Sequence, residues 1–421
     1  MLYESFSAAQ STLLWGVFFV ALILGAVVNK TNFCTMGAVS DMVNMGDYRR
    51  FRSWLLAITV AIIGMLVLES NGLVNADGSF PPYRSSQLVW AENILGGFMF
   101  GIGMTLASGC GNKTLIRIGG GNIKSIMVFI VIAIIAYFMT SPFPGSDQTL
   151  FSILFYDWIR PLAISLDSNQ DLGSLINSDN PVGTRLIVGA IMAALLLFYI
   201  VKNKHFRANP EFWIAGIVVG IAVLAGWYLS GSIKVDIPDE GEQYSLVQYY
   251  ENWDMVSDSE EGKPAQGMTL SPQSFTFINP MGQTLGYVSS GLNSAVLTFG
   301  IVSVLGIILG SFLWALISKS FRIEWFVNFK DFFTHLIGAV LMGFGGVLAM
   351  GCTIGQGITG ISTLALGSIL AFFSIVFGSA LTMKIQYYQM LYEDASFLAV
   401  LSTALVELKL LPAGMRKLEA L

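Results

Sequence analysis

Nine stretches of the chain are apolar almost without interruption, and charged or glycine-rich segments separate them. They run Leu13–Val28, Leu55–Leu68, Ile94–Ala107, Ile126–Met139, Leu186–Val201, Phe212–Leu229, Ala295–Ile317, Leu336–Met350 and Ile369–Leu381. A lipid core needs about 20 apolar residues per spanning helix. The pattern predicts an all-α polytopic membrane protein with about nine transmembrane helices. The first run lacks a basic leader and follows Glu4, so it reads as a retained span rather than a cleaved signal.

Charge between the runs alternates in sign. Lys30, Arg49, Arg50 and Arg52 follow the first run; Lys113, Arg117 and Lys124 mark a second basic turn. Lys202, Lys204 and Arg207 mark a third, and Lys319, Arg322 and Lys330 a fourth. The positive-inside rule places all four in the cytoplasm. The alternate segments are acidic. Residues 141–182 carry Asp147, Asp157, Asp167, Asp171 and Asp179 against Arg160. Residues 231–285 carry Asp236, Asp239, Glu240, Glu242, Glu251, Asp254, Asp258, Glu260 and Glu261 against Lys234 and Lys263. These belong outside, which puts the N-terminus outside and the C-terminus in the cytoplasm.

The expected organisation is an N-terminal transmembrane half (1–230), an acidic extracytoplasmic loop (231–285), a C-terminal transmembrane half (286–384) and a cytoplasmic or interfacial tail (385–421). Composition agrees: 54% of residues are hydrophobic and only 12% charged, against about 25% charged in soluble domains. The partner implied throughout is the lipid bilayer, and no nucleic acid is expected. The net charge of −5 averages two unlike faces.

Candidate chemistry centres on three cysteines. Gly101, Gly103, Ala107, Gly109 and Cys110 recur as Gly343, Gly345, Ala349, Gly351 and Cys352, displaced by 242 residues. Cys34 lies in a different setting, Asn32-Phe33-Cys34-Thr35-Met36-Gly37. With nine spans, the helix leading to Cys110 runs inward and that leading to Cys352 runs outward. Two inverted repeats are thus expected, with broken or re-entrant helices meeting near the midplane, a recurrent transporter plan.

Glycines ahead of each cysteine suit close helix packing. Those around and after it, Gly109, Gly111 and Gly119–Gly121, then Gly351, Gly355, Gly357 and Gly360, do not suit a straight helix. Irregular backbone at membrane depth is tolerated only beside protein or a water-filled cavity. Asn112, Lys113, Thr353 and Gln356 follow the cysteines and are candidate supporting groups. Lys113 and Arg117 also serve as topology signals, and Asp41 is placed to pair with a nearby basic side chain. A neutral thiol donates and accepts weak hydrogen bonds and suits a soft sulfur-containing anion better than a thiolate, which would repel it. Free N–H groups at broken helix ends favour the anion's oxygens. Several weak sites in series let an ion enter and leave. The residues alone do not single out thiosulfate.

At these positions the chain resembles the YeeE/YedE family of bacterial inner-membrane sulfur transporters. The likeness lies in Asn32–Ala38 with Asp41, in Ala107–Gly111 and in Gly351–Gly357, within roughly residues 12–140 and 290–385. It implies uptake of thiosulfate or a related small sulfur anion, with no enzymatic turnover, catalytic residue, metal or cofactor. It also implies that Cys34, Cys110 and Cys352 line a central route, passing the ion along by S–H···S contacts without covalent chemistry. A cytoplasmic sulfur-carrier protein of the TusA type is the implied partner, and some members are linked to selenium compounds. The acidic loop 231–285 is longer than the family's usual one.

Two other readings stay open. A membrane thiol–disulfide electron carrier needs two cysteines with Cα atoms about 4.4–6.8 Å apart, and Cys110 and Cys352 are the candidates. The chain has no Cys-x-x-Cys, which counts against it. A structural subunit would use the glycine motifs for packing alone.

Overall fold

The computed structural model describes residues 1–237, 242–256, 263 and 270–419. Asp239, Glu240, Asp258, Glu260 and Glu261 of the acidic loop lie outside the described residues. Each predicted apolar run coincides with a long helix, although Ala295–Ile317 begins four residues ahead of its helix, which starts at Phe299. In chain order the principal helices are α1 (Phe6–Thr31), α2 (Thr35–Met45), α3 (Arg49–Ser70), α4 (Trp90–Leu106), α5 (Gly111–Gly119) and α6 (Ile123–Thr140). There follow α7 (Pro181–Val201), α8 (Pro210–Ser232), α9 (Ile278–Ser289), α10 (Phe299–Ile317), α11 (Phe329–Leu348), α12 (Leu366–Leu391) and α13 (Phe397–Glu407). Among the described residues, nine helical stretches are long and apolar enough to cross a membrane; α1 with α2 counts as one, and α4 with α5 as another.

Local sequence sets the ends of these helices. Ser5, Thr298 and Asn328 cap α1, α10 and α11 by accepting the N–H of Ala8, Ile301 and Asp331, which satisfies a donor that no helical turn can reach. α4 stops where Ser108 turns left-handed at φ 59°, and α11 where Met350 does so at φ 55°. Gly109 N–H then donates to Met104 C=O and Gly351 N–H to Gly346 C=O, each at 2.8 Å. Both closures have the form of a Schellman cap.

α4 and α11 cross antiparallel through glycine. A Cβ added at Gly96 would lie 2.7 Å from the Gly345 carbonyl, and one at Gly345 2.6 Å from the Gly96 carbonyl. Gly103 and Gly338 make the same reciprocal approach. Small residues here let two backbones meet without side chains between them. The remaining packing is reciprocal too: α1 lies on α10 as α8 lies on α3, and α4 lies on α12 as α6 lies on α11.

The two ends of the bundle differ. At one, β1 (Leu2–Tyr3) pairs in parallel with β2 (Lys234–Ile237), which pairs antiparallel with β3 (Glu242–Ser245). The Met1 ammonium donates to Ser232 C=O at 2.8 Å. Beneath this cap lies a buried ionic network. Arg84 donates to both Glu69 oxygens, to Asp77 at 3.1 Å and to Thr363 C=O at 2.9 Å. Arg185 holds both Asp171 oxygens at 2.8 Å and Asp77 at 3.0 Å.

At the other end the four basic turns gather. Arg49 lies over Phe212 and Arg52 over Tyr199, Lys113 donates to Asn32, and Asn122 donates to Glu324. The tail returns to this end: Glu407 of α13 pairs with Lys384 at 2.8 Å and with Arg416. At 11 residues, α13 is about 16 Å long, too short to span. α12 continues past residue 384, where the tail was expected to begin, as far as Leu391. The segment expected as outer loop likewise reaches deeper than its polarity suggested: residues 273–278 are buried, and α9 starts at Ile278.

Candidate functional site: three helix-capping cysteines

All three cysteines stand where a helix begins. Cys34 follows the left-handed Asn32, has extended backbone and is the N-cap of α2. Cys110 is the N-cap of α5. Cys352 immediately precedes the helical segment 353–362, which is wound as a π-helix over Gly355–Gly360. The Cys352 Sγ takes up the N–H of Gly355 at 3.5 Å. Each helix start carries the equivalent of about half a positive charge, so three positive backbone ends meet in one buried region.

The Cys34 side chain meets that of Cys110, and Cys110 reaches Thr353. Cys352 lies further on, against Thr276. All three thiols are free and buried. Cys34 and Cys110 are side-chain neighbours, and Cys352 lies within electrostatic range of Cys110.

The polar atoms around the thiols lack partners. Thr35 Oγ1, Asn112 Oδ1, Thr276 Oγ1, Thr353 Oγ1 and Gln356 Oε1 are buried without a hydrogen bond, as are the Tyr83 hydroxyl and Trp54 Nε1. Thr35, Asn112 and Thr353 each directly follow a cysteine or lie two residues beyond it. Trp54 stacks on Phe33 at 4.6 Å beside Cys34, and the Tyr83 ring lies against Gly360 in the helical segment that follows Cys352. In folded proteins roughly 90% or more of buried polar groups are satisfied, and each orphan costs about 1–3 kcal/mol. Among the described residues, other buried polar atoms without a hydrogen bond lie elsewhere, on Arg52, Glu92, Asn93, Arg160 and Arg416, while Thr35, Asn112, Thr353 and Gln356 lie within four residues of a cysteine.

Of the predicted supporting groups, Asn112, Thr353 and Gln356 join this cluster. Gln356 also donates from Nε2 to Ala349 C=O. Lys113 stands at its edge, half-buried, its ammonium 3.1 Å from Asn32 Oδ1. Gly109 lies under the Lys113 stem, Gly111 under Ile278, and Gly351 beside Thr276 and Gln356. Asp41 pairs with Arg50 at 3.2 Å. Sequence reasoning passed over Thr35, Trp54, Tyr83 and Thr276. Only Thr276 carried a legible signal, since it lies 242 residues beyond Cys34, the displacement that separates Cys110 from Cys352.

The profile of a family described as sulphur transport matches residues 30–381, and so takes in all three cysteines and both helix breaks. The chain belongs to this sulphur transport family. Within it, the chain is similar to the thiosulfate transporter TsuA of Escherichia coli, at 27% identity over 80% of this chain and 84% of that one. TsuA of Spirochaeta thermophila is 23% identical over 87% of this chain and 97% of its own. A probable transporter, YedE of Escherichia coli, matches at 25% over 44% of this chain and 41% of its own.

Proposed function

We propose that this protein is a membrane transporter that takes up thiosulfate or a related small sulfur anion, passing it non-covalently along Cys34, Cys110 and Cys352. The observation that carries the reading is the coincidence of three free thiols, three helix starts and a cluster of unpartnered buried polar atoms. Thiols address the soft sulfur of such an ion, and hydroxyl and amide groups address its oxygens. Weak contacts in series hold the ion without trapping it. No carboxylate faces the thiols among the described residues, so an anion meets no fixed charge of its own sign there. The two thiosulfate transporters among its relatives support the choice of substrate. Nothing in the passage requires bond-making, so the protein acts as a conduit rather than an enzyme.

The positive-inside rule assigns the basic end to the cytoplasm and the capped end to the outside of a bacterial inner membrane, with the C-terminus inside. The cytoplasmic end is then where a sulfur carrier of the TusA type would receive the ion. The test is uptake of labelled thiosulfate into proteoliposomes. Wild type should accumulate label, and Cys110→Ala, folded to the same melting temperature, should lose at least about 90% of the rate, a tenfold change corresponding to about 1.4 kcal/mol. Equal rates in both would remove the thiol relay.

A further inference from the structure

The three cysteines leave an asymmetry. Cys34 has Cys110 as its partner, while Cys352 has no second thiol. The residue that stands in the vacant position is Thr276.

A displacement of 242 residues relates the two halves at many points. It carries Cys110 onto Cys352 and the left-handed Ser108 onto the left-handed Met350. The hydrogen bond from Gly109 to Met104 becomes that from Gly351 to Gly346. The last residue of α4, Leu106, becomes the last of α11, Leu348. Gly96 and Gly103 become Gly338 and Gly345, and across the α4–α11 crossing Gly96 meets Gly345 and Gly103 meets Gly338, each glycine meeting the counterpart of the other. Such reciprocity between antiparallel helices is what a two-fold axis in the membrane plane produces.

Applied to the first cysteine, the same displacement carries Phe33-Cys34 onto Phe275-Thr276 and the start of α2 to within a residue of the start of α9. The surroundings correspond. Phe33 packs on Trp54 near the start of α3, and Phe275 on Phe299 at the start of α10, centroids 5.5 Å apart. Cys34 lies beside Cys110, and Thr276 Oγ1 lies against Gly351 and Gly355, which flank Cys352. The Thr276 hydroxyl is more than nine-tenths buried and has no hydrogen-bond partner. Gly355 makes room for it, because a Cβ there would overlap Oγ1.

We propose that Thr276 is the fourth station of the passage, the hydroxyl counterpart of Cys34, and that it fixes which end of the ion faces Cys352. The proposal rests on the transport reading above. A small sulfur oxyanion has a soft sulfur and hard oxygens. A hydroxyl is the better donor to an oxygen, and a thiol the better neighbour for sulfur. Thr276 beside Cys352 therefore offers the ion two unlike contacts at one depth, whereas Cys34 and Cys110 offer two like ones. Thr276 acts as a specificity residue for oxygen-bearing sulfur anions.

The experiment compares the KM for labelled thiosulfate in proteoliposomes of wild type, Thr276→Val and Thr276→Ser. Valine keeps the shape and removes the donor; serine keeps the donor. Thr276→Val should raise KM about tenfold or more, the usual effect of losing a hydrogen bond to a charged group, while Thr276→Ser stays within about twofold. A wild-type KM in Thr276→Val would overturn the proposal, as would equal damage in Val and Ser, which marks a packing position. Wild type without uptake would fail the transport reading and this proposal together; wild-type uptake with an unaffected Val variant fails this proposal alone.

Discussion

Arg84 Nε donates to the carbonyl of Thr363 at 2.9 Å, fastening the loop between α3 and α4 to the far end of the helical segment that Cys352 begins. The same guanidinium is held by Glu69 and Asp77, and its neighbour Tyr83, whose hydroxyl is unpartnered, packs against Gly360 of that segment. One buried side chain thus sets the position of two others. Removing it takes from Glu69 its hydrogen-bonded cation, leaves Asp77 to Arg185 alone, and leaves the Thr363 carbonyl without its donor. Arg84→Ala should destabilise the protein by about 3–5 kcal/mol, the usual result of breaking a buried ion pair from one side. Thermal unfolding in detergent reads this directly; an unchanged melting temperature would refute the assigned role.

Asp171, at the same end but outside the spanning helices, gives a pH prediction. Burial works against its charge, yet hydrogen bonds from Arg185 and Ser174 outweigh burial and hold the carboxyl below the usual carboxylate range. The unfolded chain therefore binds the proton more readily than the folded one. The stabilisation is fully present above the unfolded value of about 4 and is lost as pH falls through the lower folded value. Wild type should lose melting temperature on acidification below about pH 4. Asp171→Asn should be less stable at neutral pH and lose less on the same acidification. Parallel curves for the two proteins would count against this account.

The α4–α11 crossing predicts a steep size dependence. A Cβ at Gly345 falls 2.6 Å from the Gly96 carbonyl, which is backbone and has nowhere to turn. Gly345→Ala must part the helices slightly, at a cost of about 1–3 kcal/mol, the range for overpacking, and Gly345→Leu should fail to yield monodisperse protein. Size-exclusion profiles and melting temperatures of the two variants test this. A well-behaved leucine variant would show that the crossing is loose.

Much of this was legible from the sequence because membrane spans are long and uniform, and lipid excludes charge from them. The glycine–cysteine frame was legible because two copies with one spacing are hard to produce by packing needs alone. Thr276 stood at the repeat spacing from Cys34, but its neighbourhood masked that signal. Gln273, Ser274 and Thr276 read as polar loop, whereas in the fold Ser274 donates to Val223 C=O and Ser230 accepts from the Gln273 N–H. Tyr83 and Trp54 were unreadable for a different reason. Their role lies in a missing partner, and a sequence shows only which groups can bond, not which of them fail to. The pairing of Cys34 with Cys110 depends on how α2 and α5 start, a detail that spacing does not carry.

The thiols' position at helix starts has a consequence for selection by sign. An ion among them would lie at the positive ends of several helices, and backbone dipoles neither titrate nor turn away. On the proposed reading the passage would disfavour cations across the pH range and would keep that preference through neutral side-chain substitutions that spare the helices. Discrimination among anions falls to side chains, which mutation can redraw; the preference for anions over cations belongs to the backbone.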